Sequence, residues 1–458
     1  MIHRYGTILA LLFGLCSVPT IAAPADEFDR YVQTQIQRQH IPGVAIGIVR
    51  AGRVVKMRGY GLANVELGVP AAADTVFEIG SVTKSFTSMA VLLLQERGRV
   101  SLDNRVDQYL ANIPVAWKAV TLRQLLSHTS GVPDYEEVMG YDSYRNIMTP
   151  EQVIAVVSGK PLDFPPGTEW KYSNTGYYLL TLVIEKVSGE KYADFVTRNI
   201  LAPAGLTHTR ASDPGVVIPH RAAGYEYRDG FHNRDPIQPS ATGGAGMLVS
   251  TVADMARWAA VIGKQEILKP ESYASMLADN VLANGSRSGY GFGWFVSPMR
   301  GHRAFAHSGG TAGFSCNLLH LPDDDVTIVV LTNSGNANPL SLTDHFARVL
   351  VPALRYTAIP DPHPEVGMRL LDYFAHRTDA EPYVSAFTPE FAKVIAEYWT
   401  ASFDYYRAIG APVGVELVER LPEEERVRYR VRYEDVARLV LLKLDAAGRI
   451  AEASGSEE

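Results

Sequence analysis

Cysteine is nearly absent: the 458 residues contain two, Cys16 and Cys316. Cys16 falls in a leader expected to be removed, so no intramolecular disulfide is available and packing must hold the fold. Phe314-Ser315-Cys316-Asn317-Leu318 reads as a half-buried strand, which makes the remaining thiol structural rather than nucleophilic. A run of Lys/Arg able to follow a phosphate backbone is also missing and the net charge is −7, so nucleic acid is not an expected partner. There is no paired-cysteine pattern and no His-Glu-x-x-His, hence no visible metal ligand set, and neither metal nor cofactor is expected. No serine sits in Gly-x-Ser-x-Gly, which excludes the strand-to-helix nucleophile elbow, and no internal repeat occurs.

What is present begins with a secretory pattern. His3 and Arg4 precede an apolar stretch at 8–15, and Ala23-Pro24-Ala25 offers a small-residue cleavage site ahead of Asp26. The stretch is shorter than the ~20 residues a bilayer span needs. Residues 1–25 are therefore expected to be a signal peptide, the mature protein periplasmic or secreted, with no stable membrane insertion after cleavage. Gly14-Leu15 before Cys16 fits a lipidated cysteine poorly.

Apolar residues make up 47% and charged residues 20%, a globular composition with length for one large and one smaller domain. Runs at 44–49 and 54–60, hinged at Ala51-Gly52, predict a hairpin that starts a sheet. From Ser81 the period turns helical, with Phe86, Met89, Ala90, Leu93 and Leu94 on one face and Gly98 as a stop. Residues 103–258 mix helices, such as 177–187, with Pro/Gly-rich loops and read as a helical insertion. Strands are expected again at 290–296, 304–307, 316–321 and 326–332. The sheet is then built from both ends of one α/β (α+β) domain at 26–355. A Pro-dense linker follows at 356–364. Residues 365–458 read as a small C-terminal α+β module, similar to nuclear-transport-factor-like or cystatin-like folds, with helices at 368–376 and 389–409 and three strands. In its middle strand Val427, Tyr429, Val431 and Tyr433 alternate with Arg426, Arg428, Arg430 and Arg432, which predicts one core face and one solvated basic face.

Hydrolysing an acyl bond near neutral pH takes a nucleophile, a base and donors for the oxyanion. Ser81-Val82-Thr83-Lys84 supplies the first two at a helix start, because residues three apart share a helix face. An ordinary lysine, with a pKa of about 10.4, is a poor base, so burial must lower that value or a second group must share the proton. A second Ser-x-x-Lys, Ser188-Gly189-Glu190-Lys191, falls in a polar turn and reads as surface. Tyr172-Ser173-Asn174 adds a phenol for proton relay and an amide that can orient Lys84 or a substrate carbonyl. Another Tyr-x-Asn, Tyr144-Arg145-Asn146, lies in what reads as an ordinary polar loop. His307-Ser308-Gly309-Gly310 forms a Gly-rich strand edge that lets a substrate backbone approach. Tyr135, Tyr141, Tyr144, Tyr225, Tyr227 and Trp294 are candidate pocket aromatics.

In their order and spacing, Ser-x-x-Lys, Tyr-x-Asn and His-Ser-Gly together resemble the serine β-lactamase and penicillin-binding protein superfamily. The likeness is greatest to its branch of class C β-lactamases, D-Ala-D-Ala carboxypeptidases and family VIII esterases. Phe77-Glu78-Ile79-Gly80-Ser81, Leu125-Leu126-Ser127-His128-Thr129-Ser130-Gly131 and the segment from Gly243 to Thr251 agree, over about 28–354. The resemblance implies a β-lactamase/transpeptidase-like fold, an antiparallel sheet flanked by helices. It also implies Ser81 as nucleophile, Lys84 and Tyr172 as the proton-handling pair and Asn174 as a substrate-side amide. His307, Ser308, Gly309 and Gly310 would flank the acyl group, with the N–H groups of Ser81 and Gly310 as oxyanion hole. Where many members have Lys, this chain has His307, so its grip on a carboxylate is expected to be weaker and pH-dependent unless Arg303 helps. The expected substrate is a small-molecule or peptide acyl compound. Esters come first, D-amino-acid amides or β-lactams second, and a non-catalytic sensor is the third reading.

Overall fold

Ala51 and Gly52 both adopt positive φ, 50° and 69°, the combination a two-residue hairpin turn requires. They join strand β1 (Gly43–Arg50) to β2 (Arg53–Asn64) at the start of the chain described by the computed structural model. That description covers residues 26–457 except 423, 424 and 435, so the expected signal peptide at 1–25 lies outside the described residues. With β3 (Val69–Pro70), β4 (Phe305–Thr311), β5 (Phe314–Leu321) and β6 (Val326–Thr332) these form an antiparallel sheet in the order β3-β2-β1-β6-β5-β4. The seam between the two ends of the segment is β1 on β6, from Val44 opposite Thr332 to Arg50 opposite Val326. Every residue of β6 is buried, including Thr327 and Thr332 at either end of its apolar centre 328–331.

Alternate residues of β6 serve two cores. Ile328 and Val330 pack with Val32 of α1 (Glu27–Arg38) and with Leu342 and Phe346 of a helix at Pro339–Leu350. Val329 and Leu331 join the larger core formed by α2 (Thr83–Glu96), α3 (Asn174–Ser188) and α4 (Val252–Lys264). Twelve consecutive residues of α2, Thr83 to Leu94, are buried, and Phe86 stacks on Trp258 at 4.0 Å. A helix so enclosed holds its N-terminal turn rigidly against the edge of the sheet. Among the described residues no helix is long and apolar enough to cross a membrane.

Three local expectations are corrected. Residues 290–296 do not form a strand: Gly293, at φ 75°, turns the chain where an added Cβ would lie 2.7 Å from the Lys84 carbonyl, and only bridges from Tyr290 and Phe295 remain. The expected helix at 389–409 is broken into Pro389–Glu397, a 3-10 turn at Trp399–Ser402 and Phe403–Ile409. Arg377 lies over the Trp399 ring at 4.5 Å and holds it in the module core, which overrides helical continuity. The module also has a fourth strand, Ile450–Glu457, completing an antiparallel meander with Gly414–Leu421, Arg426–Arg432 and Ala437–Leu444.

The basic face of the module's Arg-rich strand is not simply solvated. Arg428 pairs with Glu419 at 2.9 Å and Arg430 with Glu416 at 2.7 Å, while Arg300 of the larger unit reaches Glu419 at 3.3 Å. Arg430 also donates to the Tyr356 carbonyl, and Arg300 and Arg428 both lie over the Tyr356 ring. The Pro-rich linker lies along the module, with Ile359 N–H on Leu417 O and the Tyr429 hydroxyl on Asp361.

Candidate active site

Gly80–Val82 forms a 3-10 turn that runs directly into α2 and carries Ser81 half-buried at its centre. Edge strand β4 lies against this turn at a distance only glycine permits. An added Cβ on Gly309 would come 2.0 Å from the Ile79 carbonyl, and one on Gly80, at φ 46°, 2.7 Å from the Gly310 carbonyl. Buried Glu78 ties the turn down, accepting from Thr311 Oγ1 at 2.9 Å and from Ile237 N–H at 3.1 Å. Gly310 is thereby held beside Ser81, where both line one narrow pocket with Tyr144, Asn174, Gly246 and Thr311.

Lys84, one turn beyond Ser81 at the start of α2, is completely buried. Its Nζ lies 3.0 Å from Ser81 Oγ, 2.7 Å from Asn174 Oδ1 and 2.8 Å from the Ala245 carbonyl, with the Tyr172 and Tyr177 rings at 4.7 and 5.5 Å. Burial drives its pKa down to about 7, against the charges of Glu136 and Asp134, which raise it. A lysine so placed is substantially a free amine at neutral pH and can take the Ser81 proton. The Tyr172 phenol lies within hydrogen-bonding reach of Ser81 and is pushed well above its usual value by burial, so it rests as a neutral donor.

Asn174 opens α3, whose N-cap Ser173 accepts from Gly176 N–H at 3.3 Å and donates its own N–H to His128 Nδ1 at 3.1 Å. Both ends of its amide are engaged. Oδ1 faces Lys84, and Nδ2 donates to Asp134 Oδ2 at 3.0 Å and Glu136 Oε2 at 3.1 Å. The structure therefore presents Asn174 to Lys84 rather than as a free amide to a substrate. Burial raises the pKa of both carboxyls.

The imidazole of His307 is buried and turned towards Tyr290, with Nε2 2.9 Å from the Tyr290 hydroxyl and Nδ1 2.6 Å from the Ser308 carbonyl. Burial, with Lys84 nearby, pushes it down to about 3. It is neutral across the whole physiological range, so the expected titration near its ordinary value is replaced by a fixed neutral group. Ser308 is the exposed residue of this strand edge. Arg303, considered for gripping a carboxylate, is paired with Asp323 at 2.6 Å.

Sequence reasoning missed Asp134 and Glu136, while Tyr144, set aside as the relay phenol but named as a candidate pocket aromatic, does stand at the pocket. That tyrosine is buried, hydrogen-bonds Glu136 through its hydroxyl and lines the Ser81 pocket. Tyr141 reaches the same place: its hydroxyl would be 3.4 Å from a Cβ on Gly310. The other aromatics serve elsewhere, Tyr225 on Glu66, Tyr227 stacked on His40, Tyr135 and Trp294 in the core. Lys191 of the second Ser-x-x-Lys is on the surface, 3.7 Å from Glu185. No group of three or more His, Cys, Asp or Glu able to hold a metal occurs among the described residues.

Comparison with known proteins identifies the family and the fold. The Beta-lactamase family profile matches residues 28–352. Penicillin-binding protein 4* of Bacillus subtilis is 32% identical over 306 residues, 62% of this chain and 66% of that one, so the chain spans about two thirds of that relative. The octameric penicillin-binding protein homologue from Pyrococcus abyssi superposes with a TM-score of 0.65 at 24% identity, over 94% of this chain and 95% of that one. D-amino acid amidase from Ochrobactrum anthropi gives a TM-score of 0.63 at 21% identity, over 72% of this chain and 99% of that one. These two structures share the fold, a β-lactamase/transpeptidase-like antiparallel sheet with flanking helices. With a profile match running through both halves of the sheet and the helical insertion between them, the chain belongs to the Beta-lactamase family of serine hydrolases.

Proposed function

We propose that the protein is an acyl hydrolase that forms an ester on Ser81 and acts on substrates without a carboxylate beside the scissile bond, small esters foremost. The observation that carries this reading is the 3.0 Å contact between Ser81 Oγ and the buried Lys84 amine. Lys84 takes the hydroxyl proton as Oγ attacks the carbonyl, and the N–H groups of Ser81 and Gly310 receive the oxyanion. Lys84, assisted by the Tyr172 phenol, returns the proton to the leaving group, and water then cleaves the acyl-enzyme. Substrate charge follows from the surroundings. His307 is neutral, Arg303 is committed to Asp323, and two carboxylates stand behind Asn174, so the field around the nucleophile disfavours an anion.

Initial rates on p-nitrophenyl butyrate, nitrocefin and a D-Ala-D-Ala peptide, each with Ser81→Ala as control, test the assignment. Ester turnover abolished in the variant is expected. Strong turnover of nitrocefin or the carboxylate-bearing peptide would overturn the charge argument.

A second reading, hydrolysis of D-amino-acid amides, draws on the same field, because negative charge behind Asn174 favours a substrate ammonium over a carboxylate without touching it. D-phenylalanine amide cleaved faster than its N-acetyl derivative favours it. Export is proposed from residues 1–25 and is tested by fractionation and N-terminal sequencing of the mature protein.

A further inference from the structure

The groups around Lys84 come from six places. Ser81 is on its own turn; Asn174 and Tyr177 are on α3; Tyr172 precedes α3; the Ala245 carbonyl lies in the loop before α4; His128 and His307 face it across the tyrosine rings; and Asp134 and Glu136 lie behind Asn174. The phenols are pushed up by burial and both imidazoles are held neutral by it. Asp134 and Glu136 are therefore the two groups in this shell able to add charge against Lys84 near neutral pH.

We propose that Asp134 and Glu136, acting through the Asn174 amide, are positioning residues that decide at which pH Lys84 becomes available as the base. This inference rests on the acyl-enzyme reading above.

The geometry gives the pair two functions. First, an amide has two chemically different ends, and one N–H2 group donates to both carboxylates, at 3.0 and 3.1 Å. With the N–H2 fixed there, Oδ1 must face Lys84, where it sits at 2.7 Å. Reversing the amide would aim its N–H2 at the lysine and its oxygen at two carboxylates, which is unfavourable at both ends. Second, the pair supplies negative charge one amide away from the amine. That is close enough to favour the ammonium form, and too far to form a direct ion pair. The loop that carries the acids is pinned to α3 by Thr175, whose hydroxyl donates to the Pro133 carbonyl at 2.7 Å and accepts from Tyr135 N–H at 3.0 Å. Tyr144 holds Glu136 from the pocket side. Lys84 and the two acids titrate together, so the acid limb of activity reports the cluster rather than one residue.

The test is the pH dependence, from pH 5 to 9, of kcat/KM for p-nitrophenyl butyrate and of Ser81 labelling by a neutral fluorophosphonate. Full-length wild type is compared with Glu136→Gln, Asp134→Asn and Tyr144→Phe. Gln at 136 keeps an acceptor for the Asn174 amide and removes charge; Asn at 134 keeps that acceptor only by giving up the oxygen that takes the Glu136 N–H at 3.2 Å, so Glu136→Gln is the cleaner of the two. The acid limb is expected to move to lower pH by about one unit in each of these two variants, making them severalfold faster than wild type at pH 5.5. Tyr144→Phe, which withdraws the hydrogen bond favouring ionised Glu136, shifts the limb the same way by less and stands in for either acid variant that fails to fold. An unmoved limb, or a uniform loss across the pH range, would overturn the inference while leaving Ser81 chemistry intact. Wild type that is not labelled at Ser81 at any pH would instead sink the acyl-enzyme reading and this inference with it.

Discussion

Lys56 and Lys84 each stand near two carboxylates and a tyrosine, yet their proton affinities move in opposite directions. Lys56 touches its acids directly, at 2.8 Å from Asp26 and 2.9 Å from Asp29, and Tyr60 adds its hydroxyl to Asp29 at 2.5 Å. Burial there is partial, with Asp29 7% exposed and Asp26 open to solvent. It pulls Lys56 down, but the hydrogen bonds and charges of Asp26 and Asp29 outweigh it, so the lysine ends above its usual value and both acids below theirs. Lys84 is completely buried and meets Asp134 and Glu136 only through Asn174. Burial dominates, the lysine falls to about 7 and both acids rise. The first cluster is a set of fixed charges that fastens α1 to β2. In the second, the same residue types become a proton store, because one neutral amide has been placed between the charges and water has been removed.

The comparison breaks most severely at the amine itself. Lys84→Met keeps the buried volume and removes the base, and should lower kcat/KM for p-nitrophenyl butyrate by about 10³-fold at every pH, whereas Lys56→Met should leave it within a factor of about two. Next in size is Asn174→Asp, which recreates at Lys84 the direct contact that Lys56 has. The lysine pKa then rises, and the acid limb should move to higher pH by about two units. Activity at pH 7 falls about 100-fold and recovers in part at pH 9, read from the same rate profile. A smaller effect tests the structural cluster. Asp29 is held below the ordinary carboxylate range, so its stabilisation is complete above about pH 4 and is lost as pH falls through the depressed value. Asp29→Asn should therefore lower stability by about 1 kcal/mol at pH 7, where solvent reaches part of the pair, and by little at pH 2.5. Urea unfolding at the two pH values measures this, and the acid limb of activity should not move.

What the sequence disclosed depended on range. Ser81 and Lys84 lie three residues apart at one helix start, the β1–β2 turn needs only Ala51-Gly52, and the largely β-branched stretch 326–332 matches β6 residue for residue. Asp134 and Glu136 gave no such signal, because the partner that gives them meaning, Asn174, is 40 and 38 residues further on. Tyr144 was legible as a pocket aromatic but not as the partner of Glu136, because its burial is created by packing against Tyr135 and Tyr141, not by local pattern. In the module, Ile450–Glu457 has weak strand propensity and is held by its pairing with Ala437–Leu444, a contact no local reading supplies. The Arg-rich strand was legible as a strand, but the acids that cover its basic face lie on the neighbouring strand.

The smallest expected effect separates the sequence reading of His307 from its place in the fold. Read from the ordinary histidine pKa, an imidazole at this position should grip a substrate carboxylate weakly and in a pH-dependent way. In the structure its two nitrogens are occupied by the Tyr290 hydroxyl and the Ser308 carbonyl, and burial with nearby Lys84 holds it neutral down to about pH 3. His307→Gln preserves a polar partner for Tyr290 and removes the titratable ring, so the acid limb should stay within about 0.2 pH unit of wild type, although KM changes with the shape of the strand edge. A limb that moves to lower pH or disappears would assign the pH response to the imidazole. The cluster at Lys84 would then be as static as the one at Lys56, and the interposed amide would have lost its reason.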